Sequence, residues 1–182
     1  MSNISDFIAR LGKSGILKSN RYRMYFSGNG FSSAVTVSNI DIGLSGLNEL
    51  LSDSCEEISF PGSSVASEAY RIHGPPRDIP YERLFEGDLT ATFRMDGNGL
   101  IRRFFTNWQN LIVDPDSNEL GYYDDYICDL TIDVINRKDE VIMTGKLYEV
   151  WPKQINEFAL GYANEDYIKQ QVAFAYRKFV QE

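Results

Sequence analysis

The sequence predicts a mainly β protein, an antiparallel sandwich or barrel of six to eight strands with one α-helix and a short N-terminal helix. Three features of the 182 residues support this fold class. Segments in which apolar and polar residues alternate recur along the chain and are separated by turn signals. Aromatic residues, which favour strands, make up 13% of the sequence. The strands follow one another in hairpin order, which favours antiparallel pairing, and the length fits a single domain over 1–182.

The N-terminal part of the chain predicts a helical extension over residues 1–18. Its apolar residues recur at helical spacing: Ile4, Phe7, Ile8 and Leu11. Gly12 and Gly15 interrupt this pattern. We therefore expect a short amphipathic helix over 4–11.

The following part predicts a hairpin and a long loop. Residues 21–27 alternate and end in a Ser-Gly-Asn-Gly turn signal, so we expect a return strand over 31–38. Residues 39–54 are rich in Gly, Ser and Leu without a clean period, which predicts a long loop with the potential to bind a partner. Extended segments are expected at 55–60 and 66–73, and a half-buried strand is expected over the strictly alternating residues 88–95.

The clearest helix is predicted at about 99–112. Its apolar stripe has Phe104, Phe105 and Trp108 at the centre, and these three residues are expected to anchor the helix in the core. Asp96 or Asn98 can cap its N-terminus by accepting hydrogen bonds from free backbone amides. Three further strands are predicted at 122–136, 139–150 and 166–180.

The chemistry-bearing residues do not predict an active site. The single histidine, His73, has no recognisable partners for acid–base or nucleophilic catalysis. The two cysteines, Cys55 and Cys128, lack ligand spacing and are expected to be buried thiols. The acidic loop at 114–125 departs from a calcium-binding loop at its sixth and twelfth positions. We expect no enzyme activity, no cofactor and no metal, and no apolar run approaches the roughly 20 residues of a membrane span.

Charge is distributed unevenly along the chain. Residues 1–30 hold five basic residues and one acidic residue, a net charge of +4. Because the net charge of the whole chain is −8, residues 31–182 carry a net charge of −12. In the strand predicted at 122–136, Asp129, Thr131 and Asp133 would share one face. That face is either a solvated outer surface or the lining of a channel whose contents must not adhere.

Six stretches together carry a resemblance: residues 79–90, 93–95, 102–109, 145–152, the short acidic-aromatic stretch 157–166, and 172–176. In their order along the chain they resemble the tail tube proteins of contractile-tailed, T4-like bacteriophages. The similarity covers roughly residues 15–180.

The resemblance implies a structural virion protein of the tail tube fold. Such subunits form hexameric rings that stack into an inner tail tube, through which phage DNA is ejected into the host. The expected partners are further copies of the chain, the tail sheath protein, baseplate tube-initiator proteins, and tape measure protein and DNA in the lumen, without sequence-specific binding. No membrane partner is expected, and the protein would be assembled in the host cytoplasm and located in the phage tail.

Within that setting, Asp129, Thr131 and Asp133 would line a lumen that repels DNA phosphates. The inter-ring or inter-subunit contacts are expected at Arg10, Lys13, Lys18, Leu44 and Leu47. Two other functions remain open. A baseplate initiator of the tube would share the fold, and a monomeric β-barrel module that binds a small ligand or glycan would share the aromatic, antiparallel pattern.

Overall fold

The structure, a computed structural model, describes Ile4 and residues 17–38, 42–71, 73–85, 87–162 and 166–182. The strands are β1 (Tyr22–Ser27), β2 (Cys55–Ile58), β3 (Ser64–Tyr70), β4 (Arg77–Leu84), β5 (Leu89–Arg94), β6 (Cys128–Ile135), β7 (Val141–Ile155), β8 (Lys169–Ala175) and β9 (Lys178–Gln181). The helices are α1 (Asn29–Val37), α2 (Leu44–Ser54), α3 (Leu100–Ile112) and the single turn α4 (Tyr123–Tyr126).

Seven strands form one sheet in the order β1-β6-β7-β8-β5-β2, and β9 joins it by pairing with β7. All of its pairings are antiparallel. The strands β3 and β4 form a separate two-stranded hairpin. The fold is therefore mainly β and antiparallel, as predicted.

The long strand β7 belongs to both halves of the large sheet. Its residues 141–150 pair with β6, and residues 145–148 pair with β9 on the other side. Its last part, Trp151–Ile155, pairs instead with β8. Glu149, whose φ of 57° lies in the left-handed region, stands just before this switch. The backbone change there turns the strand from one half-sheet to the other.

The two half-sheets and α3 enclose an aromatic core. Phe26 on β1 and Phe174 on β8 have ring centroids 5.7 Å apart, so the inner faces of the two halves meet. The predicted core residues Phe104, Phe105 and Trp108 are all fully buried. The indole nitrogen of Trp108 donates a hydrogen bond to the Tyr126 carbonyl oxygen at 2.8 Å. The helix predicted at 99–112 is confirmed as α3, and Asp96 caps it by accepting from the Leu100 amide at 2.7 Å.

Two predictions in the first third of the chain are wrong. Residues 31–38, predicted as a strand, lie mostly in α1, which buries Phe31, Ala34 and Val35 at helical spacing. Residues 42–54 of the predicted loop mostly form α2, which buries Leu47 and Leu51. In both segments, burial of an apolar stripe on the sandwich outweighs the helix-disfavouring Gly, Ser and β-branched residues.

The C-terminal strands also differ from the prediction. The segment 122–136 begins with the helical turn α4, and only Cys128–Ile135 is a strand. The strand predicted to end at 150 continues to Ile155 through Pro152. The single strand predicted at 166–180 is divided into β8 and β9, since each pairs with a different part of β7. The predicted N-terminal helix lies outside the described residues apart from Ile4, which is helical.

Candidate assembly surfaces

The predicted lumen residues lie on the outer face of β6. Asp129 is exposed, Asp133 is half-buried, and Thr131 is only 6% exposed. The apolar residues Leu130 and Ile132 point into the core between them, as the alternation predicted. The Thr144 hydroxyl on β7 donates a hydrogen bond to the Asp133 carboxylate at 2.7 Å. These three residues therefore do share one face.

Neighbouring strands bring basic side chains onto this face. Arg23 on β1 lies opposite Asp133, and Lys146 on β7 lies opposite Thr131. The Lys146 ammonium forms an ion pair with Glu182 at 2.9 Å, and this contact raises the pKa of Lys146. The stretch that is purely acidic in sequence is thus part of a face of mixed charge in the sheet.

A second charged network covers the outer face of the other half-sheet. Glu56 on β2 forms ion pairs with Lys169 at 2.8 Å and with Arg94 at 3.0 Å. The Tyr167 hydroxyl donates to the same carboxylate, and the Arg94 guanidinium lies 5.1 Å from the centre of the Tyr167 ring. The hydrogen bonds from Lys169 and Tyr167 lower the pKa of Glu56 to about 2. The network holds β2, β5 and β8 together from outside.

The predicted inter-subunit contacts have different outcomes. Arg10 and Lys13 lie outside the described residues. Lys18 is exposed, and Leu44 is 45% exposed at the start of α2. Leu47, a residue of α2, is fully buried and packs in the core. The prediction that it contacts another subunit is therefore wrong.

The outer edge of β1 is covered by α2. The Asn48 side chain accepts a hydrogen bond from the Phe26 amide at 2.8 Å and donates one to the Phe26 carbonyl oxygen at 2.9 Å. Ser52 accepts a hydrogen bond from the Met24 amide at 3.3 Å. These bonds occupy backbone groups that would otherwise pair with another strand. In the part of the chain that the structure describes, β2 pairs only with β5, and β9 pairs only with β7.

The exposed surface of the β3–β4 hairpin was not predicted from the sequence. Every residue of β4 is exposed, and only Ser64 and Ala66 of β3 are half-buried. Its exposed apolar and aromatic residues are Val65, Tyr70, Ile79, Tyr81 and Leu84. The turn-forming Gly74-Pro75-Pro76 between two extended segments was the sequence signal for it.

The described residues contain no cluster of three or more His, Cys, Asp or Glu side chains arranged to hold a metal. Asp114, in the loop that resembles a calcium loop, instead accepts hydrogen bonds from the backbone amides of Asp116 and Ser117, and these lower the pKa of Asp114. Cys55 and Cys128 are buried free thiols, as predicted. Among the described helices, none is long and apolar enough to cross a bilayer.

A family model for the phage tail tube protein matches residues 17–182, which is nearly the whole chain. The chain belongs to the phage tail tube protein family. It is therefore a structural tube protein. No curated protein sequence gives a significant match.

Solved structures with the same fold come from contractile injection systems. The tube protein is similar to a chain in the extended PVC sheath-tube complex, with a TM-score of 0.59, 14% identity and 96% of each chain covered. It is also similar to a chain of the anti-feeding prophage baseplate, with a TM-score of 0.62 and 13% identity over 92% of this chain and 95% of that one. A chain of the anti-feeding prophage tube-terminating cap has a TM-score of 0.59 and 12% identity, over 92% and 91% of the two chains. At this identity the likeness shows the shared fold.

Proposed function

We propose that this tube protein forms hexameric rings that stack into the inner tube of a contractile phage tail, through which DNA passes on ejection. The observation that carries the proposal is the β3–β4 hairpin, whose apolar and aromatic residues are exposed on the isolated chain. A two-stranded hairpin is marginally stable by itself in water, so a hairpin with these residues needs a partner surface. A second copy in the next ring supplies one.

The strand edges support ring formation. Because α2 covers the edge of β1, lateral pairing between subunits has to use other edges, of which β2 and β9 are the candidates in the described chain. Closing a ring removes such edges, which would otherwise favour aggregation. Six subunits per ring accord with the similar anti-feeding prophage baseplate, whose structure is six-fold symmetrised.

The proposal includes the partners outside and inside the tube. The sheath protein surrounds the tube, a proposal supported by the fold shared with a chain of the PVC sheath-tube complex. The tape measure protein and DNA pass through the lumen without sequence-specific binding, and baseplate initiator proteins start the tube. Rings assemble in the host cytoplasm and end in the virion tail.

The β6 face supplies the lumen lining in this proposal. Asp129 and Asp133 repel phosphates, while Arg23 and Lys146 on the adjoining strands limit the net charge that the cargo meets. An Asp129→Cys variant assembled into tubes should react with a small maleimide and should be protected from a maleimide attached to a large gold particle. Equal reaction with both reagents would place Asp129 on the outside.

Self-assembly tests the main proposal. The purified chain, imaged by negative-stain electron microscopy and followed by sedimentation, is expected to form long tubes or stacks of rings without a template. A protein that stays monomeric at high concentration would contradict the proposal. Single rings that elongate only on a preformed tube end would instead identify a baseplate initiator or a terminator.

A further inference from the structure

A groove opens between the start of β1 and β2, and residues of β6 and β7 also line it. Its volume is about 540 Å³. The apolar residues that line it include Ile58, Phe60, Ile132, Val134 and Met143. Ile132 is already buried, whereas the other four are only partly covered. The inner face of the sheet is therefore left incompletely covered at the groove.

The charged residues Lys18, Arg21 and Glu57 also line the groove. Glu57 is exposed and forms no ion pair within the described residues. The neighbouring Glu56 is held by Lys169 and Arg94. One carboxylate at the mouth of the apolar groove thus remains available to a basic partner.

The N-terminal segment has matching chemistry. Its apolar stripe, Ile4, Phe7, Ile8 and Leu11, needs an apolar surface to cover it. Arg10 directly precedes the last residue of the stripe, and Lys13 follows the stripe. The segment leads directly into Lys18, which is itself at the groove. Apolar side chains facing an apolar groove, and basic side chains facing Glu57, form one complementary pair of surfaces.

The chain's own body does not cover the start of this segment. Ile4 is helical and 77% exposed on the isolated chain. A second copy offers the same groove, and stacking or ring closure brings second copies close together. Exchange of an arm between identical subunits is a common way to join them at low cost.

We infer that residues 4–13 of one subunit dock in the groove between β1 and β2 of a neighbouring subunit. The inference rests on the proposed function, since the assembly brings the two copies together. Leu47, which is buried, is not the contact in this inference; the groove is the surface that receives the basic N-terminal segment. The apolar contact supplies the affinity, and the pairing of Arg10 or Lys13 with Glu57 sets the register.

Disulfide cross-linking between two differently tagged chains tests this docking. One chain carries Phe7→Cys and the other carries Met143→Cys, and both are assembled together before oxidation. The native thiols interfere little, because burial raises the pKa of Cys55 to about 11 and that of Cys128 well above its usual value. Pairing Phe7→Cys with Leu120→Cys, an exposed position outside the groove, is the control.

The expected result is a cross-linked pair of different tags for Phe7→Cys with Met143→Cys and none for the control. A bridge within single unassembled chains of the Phe7→Cys/Met143→Cys double variant would overturn the inference, since the arm would then fold back on its own body. Tubes that show no cross-link overturn it as well and leave the proposed function standing. A wild-type chain that forms neither rings nor tubes overturns both.

A charge placed on the arm gives a second readout. Phe7→Asp is expected to raise the protein concentration needed for assembly by about tenfold or more, because it removes the burial of one aromatic side chain. Asn3→Asp adds the same charge beside the apolar stripe and is the matched control. Equal assembly of Phe7→Asp and Asn3→Asp would contradict the docking.

Discussion

In the sandwich body, Phe26 of β1, Phe174 of β8 and the α3 residues Phe105 and Trp108 pack on one another and are buried, whereas the β3–β4 hairpin leaves its tyrosines and aliphatic residues in solvent. The body therefore has the interactions that stabilise it within one chain. The two strands of the hairpin pair with each other, and a two-stranded hairpin is marginally stable without a further layer. Folding and assembly therefore depend on separate parts of this molecule. Substitutions in the body should change stability, and substitutions in the hairpin should change assembly.

The largest effect is expected for Trp108→Ala in the body. Trp108 is fully buried, packs on Phe26 and Phe104, and donates a hydrogen bond to Tyr126. Its loss should lower the free energy of unfolding by about 3–5 kcal/mol, measured by urea denaturation. Trp151→Ala, at a partly buried tryptophan, is the comparison and should cost less. Equal losses would show that the α3 core is not the centre of stability.

A smaller loss is expected where α2 covers the β1 edge. In Asn48→Ala the Phe26 amide and carbonyl lose their side-chain partner, which should cost about 1–3 kcal/mol of unfolding free energy. Glu49→Ala, exposed on the same helix, should have little effect. If Asn48→Ala also yields disordered aggregates containing cross-β structure, the helix protects the edge; soluble protein of wild-type stability would contradict both roles.

The pH dependence of the body is expected to follow Glu56. Its pKa in the folded protein, lowered to about 2 from 4.5 by Lys169 and Tyr167, means that its contribution to stability is present above pH 4.5. That contribution is lost as the pH falls toward 2. Denaturant midpoints measured from pH 5 downward should therefore decline less steeply in Glu56→Gln than in wild type. Glu57→Gln is the control, and parallel curves for Glu56→Gln and wild type would exclude the network as the cause.

The smallest effect on folding is expected in the hairpin, where the effect on assembly should be large. The double variant Val65→Ser and Tyr81→Ser changes exposed residues, so its unfolding free energy should stay within about 0.5 kcal/mol of wild type. Tube formation, followed by light scattering and microscopy, should nevertheless be lost. Tyr162→Ser, at an exposed tyrosine of the body, should assemble normally. Unchanged assembly of the hairpin variant would remove the main support for the proposed stacking.

The sequence was sufficient for elements whose pattern is local. The stripe of α3 and the alternation of β1 and β5 identified their buried residues correctly, including Phe104, Phe105 and Trp108. The helices α1 and α2 were missed although Phe31, Ala34 and Val35, and later Leu47 and Leu51, have helical spacing. Their Gly, Ser and β-branched content favoured other assignments, and packing on the sandwich decided the outcome.

Two features, the boundary between β8 and β9 and the mixed charge of the β6 face, depend on strand register and could not be predicted from local sequence patterns. The boundary between β8 and β9 is set by β7, which pairs with each of them at different residues. Likewise, Lys146 is 15 positions from Thr131 in the sequence, yet the pairing of β6 with β7 places it beside that residue. The shared face of Asp129, Thr131 and Asp133 was predicted, but the basic neighbours on that face could be identified only from the sheet.

The sharing of β7 between the two half-sheets has a mechanical consequence. If the proposed tube is driven forward by a contracting tail, its subunits bear load along the assembly. A load that pulls the two half-sheets apart is carried through the covalent backbone at Glu149–Trp151, where β7 passes from β6 and β9 to β8. The two halves of each subunit therefore stay covalently joined through β7 under such a load.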